Sequence, residues 1–250
     1  MISAVATSLV VALLAPAGPF FSTAPTDPVV PSPPPEVSAA SWAVYDETAD
    51  VMLATWNLTD PRPKATVTKV LTEMIVVDHA DLDEVVTVPS FATSSRGSSA
   101  GLVEGEQWTV YDLLVAMLVR SGNDAALTLA WHVGDGDVDT FVAMMNDRAA
   151  ELGMDDSRFA NPNGLDHAEH YSTANDLVTL TVASLDYPVV QQISRIKTIK
   201  MPADPTGKTR QVNNTNHLLG TYPGVVGLKT GDTPFADKVL LGVTERGQRR

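Results

Sequence analysis

"KATVTKVLTEMIVVDH", residues 64–79, sets the frame for the rest of the chain. Val67, Val70, Leu71, Met74 and Ile75 recur at helical spacing, and Pro61 and Pro63 suit a chain entering a helix. The spacing predicts a largely buried helix from Ala65 to about His79, with Thr66 in its first turn. A hydroxyl at Thr66 then stands three residues before an amine at Lys69, and residues at i and i+3 share a helix face.

Working outward, Ser41 to Glu47 and Val51 to Trp56 are short runs rich in β-branched and aromatic residues on either side of a turn, which predict a β-hairpin. Downstream, Thr109-Val110-Tyr111-Asp112 opens a helix with a capping-box pattern, and Leu113, Leu114, Met117 and Leu118 continue it until "SGND" at 121–124 stops it. Further helices are predicted from Ala125 to His132, from Asp137 to Leu152 with Gly153 closing it, and through residues 174–185 with Ser172 as N-cap. A last helix covers Tyr187 to Ile193. The period then shortens, and "KTIKM" (197–201), "VVGLKTG" (225–231) and "DKVLLGVTE" (237–245) read as strands. Strands at both ends with helices between predict an α/β (α+β) fold, one antiparallel sheet with an inserted all-helical subdomain.

The 250 residues are 44% hydrophobic and 19% charged, the composition of a folded protein. A formal net charge of -13 repels a phosphate backbone, so nucleic acid is set aside as a partner. With no cysteine there is no disulfide, thiolate metal site or Cys nucleophile. The apolar run from Ile2 to Ala15, followed by Pro16, has the length of a signal-peptide core rather than of a bilayer span, although a basic leader is missing. Residues 1–24 are therefore expected to be an export signal or N-terminal apolar segment, 25–38 a proline-rich linker, and 39–250 the folded domain. This predicts an extracytoplasmic protein, secreted or in the cell envelope, with membrane association only through that N-terminal segment or a C-terminal extension. "DKVLLGVTERGQRR" reads as a strand and a turn with the return strand starting at Arg249, so the domain is expected to be truncated at its C-terminus.

Three short motifs occur in order: Thr66-x-x-Lys69 at a helix start, Ser121-Gly122-Asn123 between helices, and Lys229-Thr230-Gly231 on a late strand. Together, and with "SGNDAALTLA", "RFANPNGLD", "HYSTANDL" and "GLKTG", the chain from about Ala39 resembles the low-molecular-mass D-alanyl-D-alanine carboxypeptidases, penicillin-binding serine peptidases with Ser-x-x-Lys, Ser-x-Asn and Lys-Thr-Gly motifs. The resemblance implies a β-lactamase/DD-peptidase-like fold, peptidoglycan pentapeptide stems and β-lactams as partners, and no cofactor or metal. It implies Thr66 as nucleophile, Lys69 as general base, Ser121 as proton donor to the leaving D-alanine, and Asn123 as the group holding Lys69 and substrate in register. Lys229, Thr230, Gly231 and Asp232 are implied in substrate binding, with the backbone N–H groups of Thr66 and Asp232 as the oxyanion hole.

The chain departs from the pattern in three places. Thr66 stands where the family has serine, and its extra methyl restricts χ1 while its hydroxyl can bond back to a helix carbonyl. Asp232 puts a carboxylate beside a pocket meant for anions, and Asp237 replaces a glycine. Impaired activity is the expectation; the alternative is a catalytically inactive pseudoenzyme that binds peptidoglycan peptides or acts as an envelope scaffold. A β-lactamase lacks a clear deacylating Glu motif here. A metal site at Asp166, His167, Glu169 and His170 lacks the helical H-E-x-x-H spacing, and the serines of "ATSSRGSSAG" (92–101) read as a flexible loop.

Overall fold

The predicted hairpin forms as β1 (Trp42–Asp46) and β2 (Val51–Trp56), antiparallel with Trp42 opposite Trp56. The structure, a computed structural model, describes residues 36–203, 207, 209–247 and 250. The expected signal segment, nearly all of the proline-rich linker, and Arg249 lie outside these.

After a short strand β3 (Arg62–Pro63), the chain departs from the single helix predicted. Ala65–Thr68 is a 3-10 turn, and α1 proper spans Lys69–His79. Ala65 has φ +50, outside the α region, and Thr68 Oγ1 donates to Ala65 O at 2.9 Å, which tightens the first turn. Strand β4 (Val85–Thr87), helix α2 (Ser90–Thr93) and strand β5 (Gln107–Thr109) follow, with β4 and β5 paired. Each is too short for a periodicity to register in the sequence.

The helical middle follows its prediction closely. α3 (Val110–Val119) has Thr109 as N-cap, accepting from Asp112 N at 3.1 Å; α4 (Asn123–Val133) starts two residues early; α5 (Val138–Glu151) runs from the N-cap Asp137, and Gly153 follows it at φ +73. Strand β6 (Tyr171–Ser172) pairs with β3. α6 (Ala174–Ser184) is capped by Thr173 rather than Ser172, because Ser172 belongs to β6 and its hydroxyl meets that of Ser157 at 2.6 Å. Helix α7 (Pro188–Ser194), the paired strands β7 (Thr198–Lys200) and β8 (Gln211–Asn213), and the hairpin β9 (Val225–Thr233) and β10 (Asp237–Thr244) complete the order.

The strands predicted at the two ends of the domain form two antiparallel pairs, β1–β2 and β9–β10, with no ladder joining them among the described residues. Arg250 O accepts from Glu47 N at 3.1 Å, so the chain reaches the end of β1 there.

Helix α1 lies at the centre, against α3, α4, α5, α6 and α7. Val70, Leu71, Met74 and Val76 are fully buried in that core, each contributing about 1.5–3 kcal/mol relative to exposure. Burial of α1 on all sides fixes its N-terminal end against β9, where the three sequence motifs meet.

Candidate active site

The 3-10 turn presents Thr66, and β9 crosses beside it. Gly231 is the reason that crossing is possible: a Cβ there would lie 2.8 Å from the Ala65 Cβ and 3.1 Å from Thr66 N. The glycine thus admits the Ala65–Thr68 turn itself. Gly164 does the same from the other side, since a Cβ on it would overlap Ala65 O and Thr66 Cα. Ser121 precedes α4 at φ +62, so both it and Ala65 hold left-handed backbone that L residues rarely adopt; such outliers cluster at functional sites.

A chain of three hydrogen bonds links four motif residues. Lys229 Nζ donates to Ser121 Oγ at 2.9 Å, Ser121 Oγ donates to Thr66 Oγ1 at 3.2 Å, and Thr66 Oγ1 donates to Thr230 O at 3.1 Å. The Thr66 hydroxyl therefore bonds to a strand carbonyl, not to the helix carbonyl its residue type suggested. Lys69 is fully buried and makes no hydrogen bond to Thr66; its Nζ donates to Asn123 Oδ1 at 2.7 Å and to Asn163 O. Burial, then the neighbouring Lys229 charge, hold the Lys69 amine well below the usual lysine range, while Asp124 pulls it back. Two acceptors thus meet Lys69 Nζ, the number that an amine without its extra proton can satisfy while keeping a lone pair. Burial lowers Lys229 to about 7.

Asn123 is fixed at both ends of its amide, with Nδ2 donating to Arg96 O at 2.6 Å. Asp124, next in sequence, corrects the reading of residues 92–101 as a flexible loop. Its buried carboxylate accepts from the backbone N–H groups of Ala100, Gly101 and Leu102 at 3.0–3.1 Å and from the Ser99 hydroxyl. The loop is tied to α4 and puts Ser98 on the wall of the cleft. Gly122 makes this possible, because a Cβ there would stand 2.8 Å from Asp124 Oδ1.

The cleft holds about 480 Å³, and its lining includes Thr66, Ser121, Thr230 and Gly231 together with Leu218, Lys238 and Leu240. Thr215 Oγ1 lies 2.7 Å from Thr230 Oγ1, adding a second hydroxyl that no sequence motif announced. Asp232 also lines the cleft, but its carboxylate is largely exposed and paired at 2.7 Å with Lys238, its cross-strand neighbour, which offsets the like charge expected from it. Asp237 sits at φ +54, a conformation glycine takes without cost.

The sequence's metal candidates do not converge. Asp166 accepts from Thr233 Oγ1 at 2.6 Å and Phe235 N at 3.2 Å, and both ring nitrogens of buried His170 are engaged by Thr68 and Ala160. Among the described residues no group of three such ligands faces one point. Asn163, Asp124 and Thr215 were not singled out from the sequence, and His170 was weighed only as a metal ligand. "RFANPNGLD" entered only as part of the family resemblance, and a contributing carbonyl has no sequence signature.

Comparison with known proteins bears on the family and the fold. The model of a D-alanyl-D-alanine carboxypeptidase family matches residues 28–250. The chain is 35% identical over 232 residues to D-alanyl-D-alanine carboxypeptidase DacB2 of Mycobacterium tuberculosis, covering 92% of this chain and 78% of that protein. It is 30% identical over 217 residues to DacF of Bacillus subtilis, covering 85% of this chain and 55% of that one. The crystal structure of the Streptomyces K15 DD-transpeptidase superposes with a TM-score of 0.82 at 27% identity, over 87% of this chain and 89% of that one. The DD-peptidase-like fold expected from the motifs is the fold observed.

Proposed function

The chain belongs to the D-alanyl-D-alanine carboxypeptidase family, and from that membership we propose that Thr66 is the nucleophile of a slow acyl transfer. The function is that of a D-alanyl-D-alanine carboxypeptidase, a serine-peptidase-type hydrolase whose family acts in the cell wall and binds peptidoglycan peptides and β-lactams.

The observation that carries the proposal is the hydrogen-bond chain Lys229–Ser121–Thr66, set beside the buried Lys69, whose amine is held well below the usual lysine range. In the acylation step Lys69 Nζ takes the Thr66 proton as Oγ1 attacks the carbonyl carbon of the penultimate D-alanine. The oxyanion is held by the N–H groups of Thr66 and Asp232, which β9 brings beside the turn. The peptide C–N bond breaks, Ser121 gives its proton to the departing amine, and Lys229 replenishes Ser121. The hydroxyls of Thr230 and Thr215 bind the terminal carboxylate. Water then attacks the ester carbonyl, giving a proton to Lys229 and its oxygen to the acyl group, while Lys69 returns its proton to Thr66 Oγ1 as the C–O bond breaks, which restores both lysines.

Acylation is slow because the resting Thr66 hydroxyl points its proton at Thr230 O, so the proton must turn away before Lys69 can accept it, and the β-branch restricts the χ1 change that would carry the oxygen toward Lys69. Intact-mass spectrometry after incubation with benzylpenicillin tests this. We expect a slowly forming adduct on the unsubstituted protein and faster labelling of Thr66→Ser. Rapid stoichiometric labelling without substitution would refute impairment, and no adduct on either protein would make the non-catalytic peptidoglycan-binding reading the better one.

A cell-wall substrate places the action outside the cytoplasm. Export through residues 1–24 is the matching proposal, checked by the N-terminal sequence of the protein recovered from the envelope of its host. Among the described residues no helix is long and apolar enough to cross a membrane.

A further inference from the structure

Beneath the nucleophile turn lies a second buried polar cluster that the acyl-transfer steps do not use. His170 is buried, and its Nδ1 accepts from Ala160 N at 3.0 Å. That bond assigns the ring hydrogen to Nε2, which meets Thr68 Oγ1 at 2.7 Å. Thr68 Oγ1 in turn donates to Ala65 O at 2.9 Å. Ala65 is the left-handed residue immediately before Thr66, so three hydrogen bonds run from residue 160 to the backbone that aims the nucleophile.

The other side of the same turn is held by the same stretch of chain. Lys64 Nζ donates to Arg158 O at 2.5 Å and Tyr171 O at 2.7 Å and lies 3.5 Å from the centroid of the Phe159 ring, which stands edge-on to His170. Between these anchors, Asn163 O accepts from Lys69, Pro162 O accepts from Thr72 Oγ1 at 2.7 Å, and Gly164 presses on Ala65. Residues 158–172 thus grip positions 64, 65, 68, 69 and 72.

We propose that His170, acting through Thr68 and Ala65 O, is a positioning residue for acylation, and that residues 158–172 form a brace holding the left-handed turn that aims Thr66. Burial keeps the imidazole neutral, driving it down to about 2 with help from Lys64, so the Nε2–H donor is present at every pH at which the protein works. A left-handed alanine carries a steric cost, and it persists only where surrounding bonds over-determine it. Without the Thr68 bond to its carbonyl, Ala65 can relax toward the α region and swing the Thr66 hydroxyl and N–H away from their partners.

The inference rests on the reading of Thr66 as nucleophile, and its test separates the two. His170→Phe, His170→Gln, Thr68→Val and the His170→Phe/Thr68→Val pair are compared with the unsubstituted chain, each with Thr66 and with Thr66→Ser. Benzylpenicillin acylation is followed by intact mass across a concentration series, separating the limiting rate from the apparent affinity. The expected result is a limiting rate lowered by about tenfold to a hundredfold in His170→Phe and Thr68→Val, the scale of a small misplacement of a reacting group. Affinity should stay within about twofold, the double variant should fall no further than either single one, and His170→Gln, whose amide replaces the Nε2–H, should recover most of the rate.

Hydrogen exchange of the amides of residues 64–72 is measured on the same proteins, and should quicken in His170→Phe and Thr68→Val and be restored in His170→Gln. Unchanged limiting rates, or affinity falling as far as rate, would overturn the proposal. If no protein were acylated, the nucleophile reading would fail by itself. Exchange would then decide the brace: unchanged protection overturns it, and faster exchange confined to 64–72 upholds it.

Discussion

The N-terminal end of α1 and its next turn make an instructive contrast. Both bury an ionisable side chain completely: Lys69 at the start of the helix and Glu73 one turn on. Lys69 has Asn123 Oδ1 and Asn163 O to receive its N–H groups, whereas neither carboxyl oxygen of Glu73 has a hydrogen-bond partner. Burial shifts both toward neutrality, the amine downward and the carboxyl upward. The same desolvation therefore acts on a fully hydrogen-bonded amine at one turn and leaves an uncompensated cost at the next. What separates them is whether loops from elsewhere in the chain supply partners.

The largest expected effect tests the first half of that contrast. Lys69→Met should lower benzylpenicillin acylation by about a thousandfold, the usual weight of a positioned general base, while circular dichroism shows the fold retained. Labelling of this variant at the unsubstituted rate would remove Lys69 from the chemistry and leave the Lys229–Ser121 pair as the proton path.

Next in size, Gly231→Ala should both slow acylation and lower stability by about 1–3 kcal/mol, because its Cβ would push against Ala65 and Thr66 N. Urea unfolding alongside mass labelling would check it. An unaffected rate would mean that β9 can retreat without disturbing the turn.

Glu73→Met addresses the second half and should stabilise the protein by about 1–3 kcal/mol at pH 8, by removing a buried carboxyl that nothing satisfies. The sign with pH follows from linkage. The folded carboxyl holds its proton above the value of the unfolded one, so the folded state binds more protons, and stability is lost as pH rises from the unfolded value of 4.5 through the folded one. The advantage of the variant should therefore shrink as pH is lowered toward 4, measured as the difference in Tm. A variant less stable at every pH would show that Glu73 has a partner in solution.

The smallest effect is expected at the hairpin turn, away from both buried groups. Asp237→Gly should raise stability by about 1 kcal/mol by relieving a left-handed aspartate at φ +54, read from urea denaturation. No gain would mean that the turn's backbone relaxes around the aspartate.

Legibility of the site divided along similar lines. Thr66, Lys69, Ser121, Asn123 and Lys229 were named from short motifs because side-chain chemistry at fixed spacing is written in one dimension. Asn163 contributes through a carbonyl, and His170 meets Ala65 O only through two hydrogen bonds by way of Thr68, so neither leaves such a trace. Asp124 was adjacent to a motif and still missed, since its work is to hold a loop more than twenty residues upstream.

The amino-acid sequence by itself determined the hairpin at β1–β2, the helices α3 to α7 within a few residues, and the strands β9 and β10, because apolar period and capping are local properties. Only the tertiary structure decided that the helix read from Ala65 would begin as a 3-10 turn. It also decided that Lys69 would face Asn123 and Asn163 rather than Thr66, and that Asp232 would be countered by Lys238. The reason is the same in each case: an element's period follows from neighbours along the chain. A strained backbone angle or a buried amine's choice of partner is instead settled by groups from distant residues that arrive only when the core closes around α1.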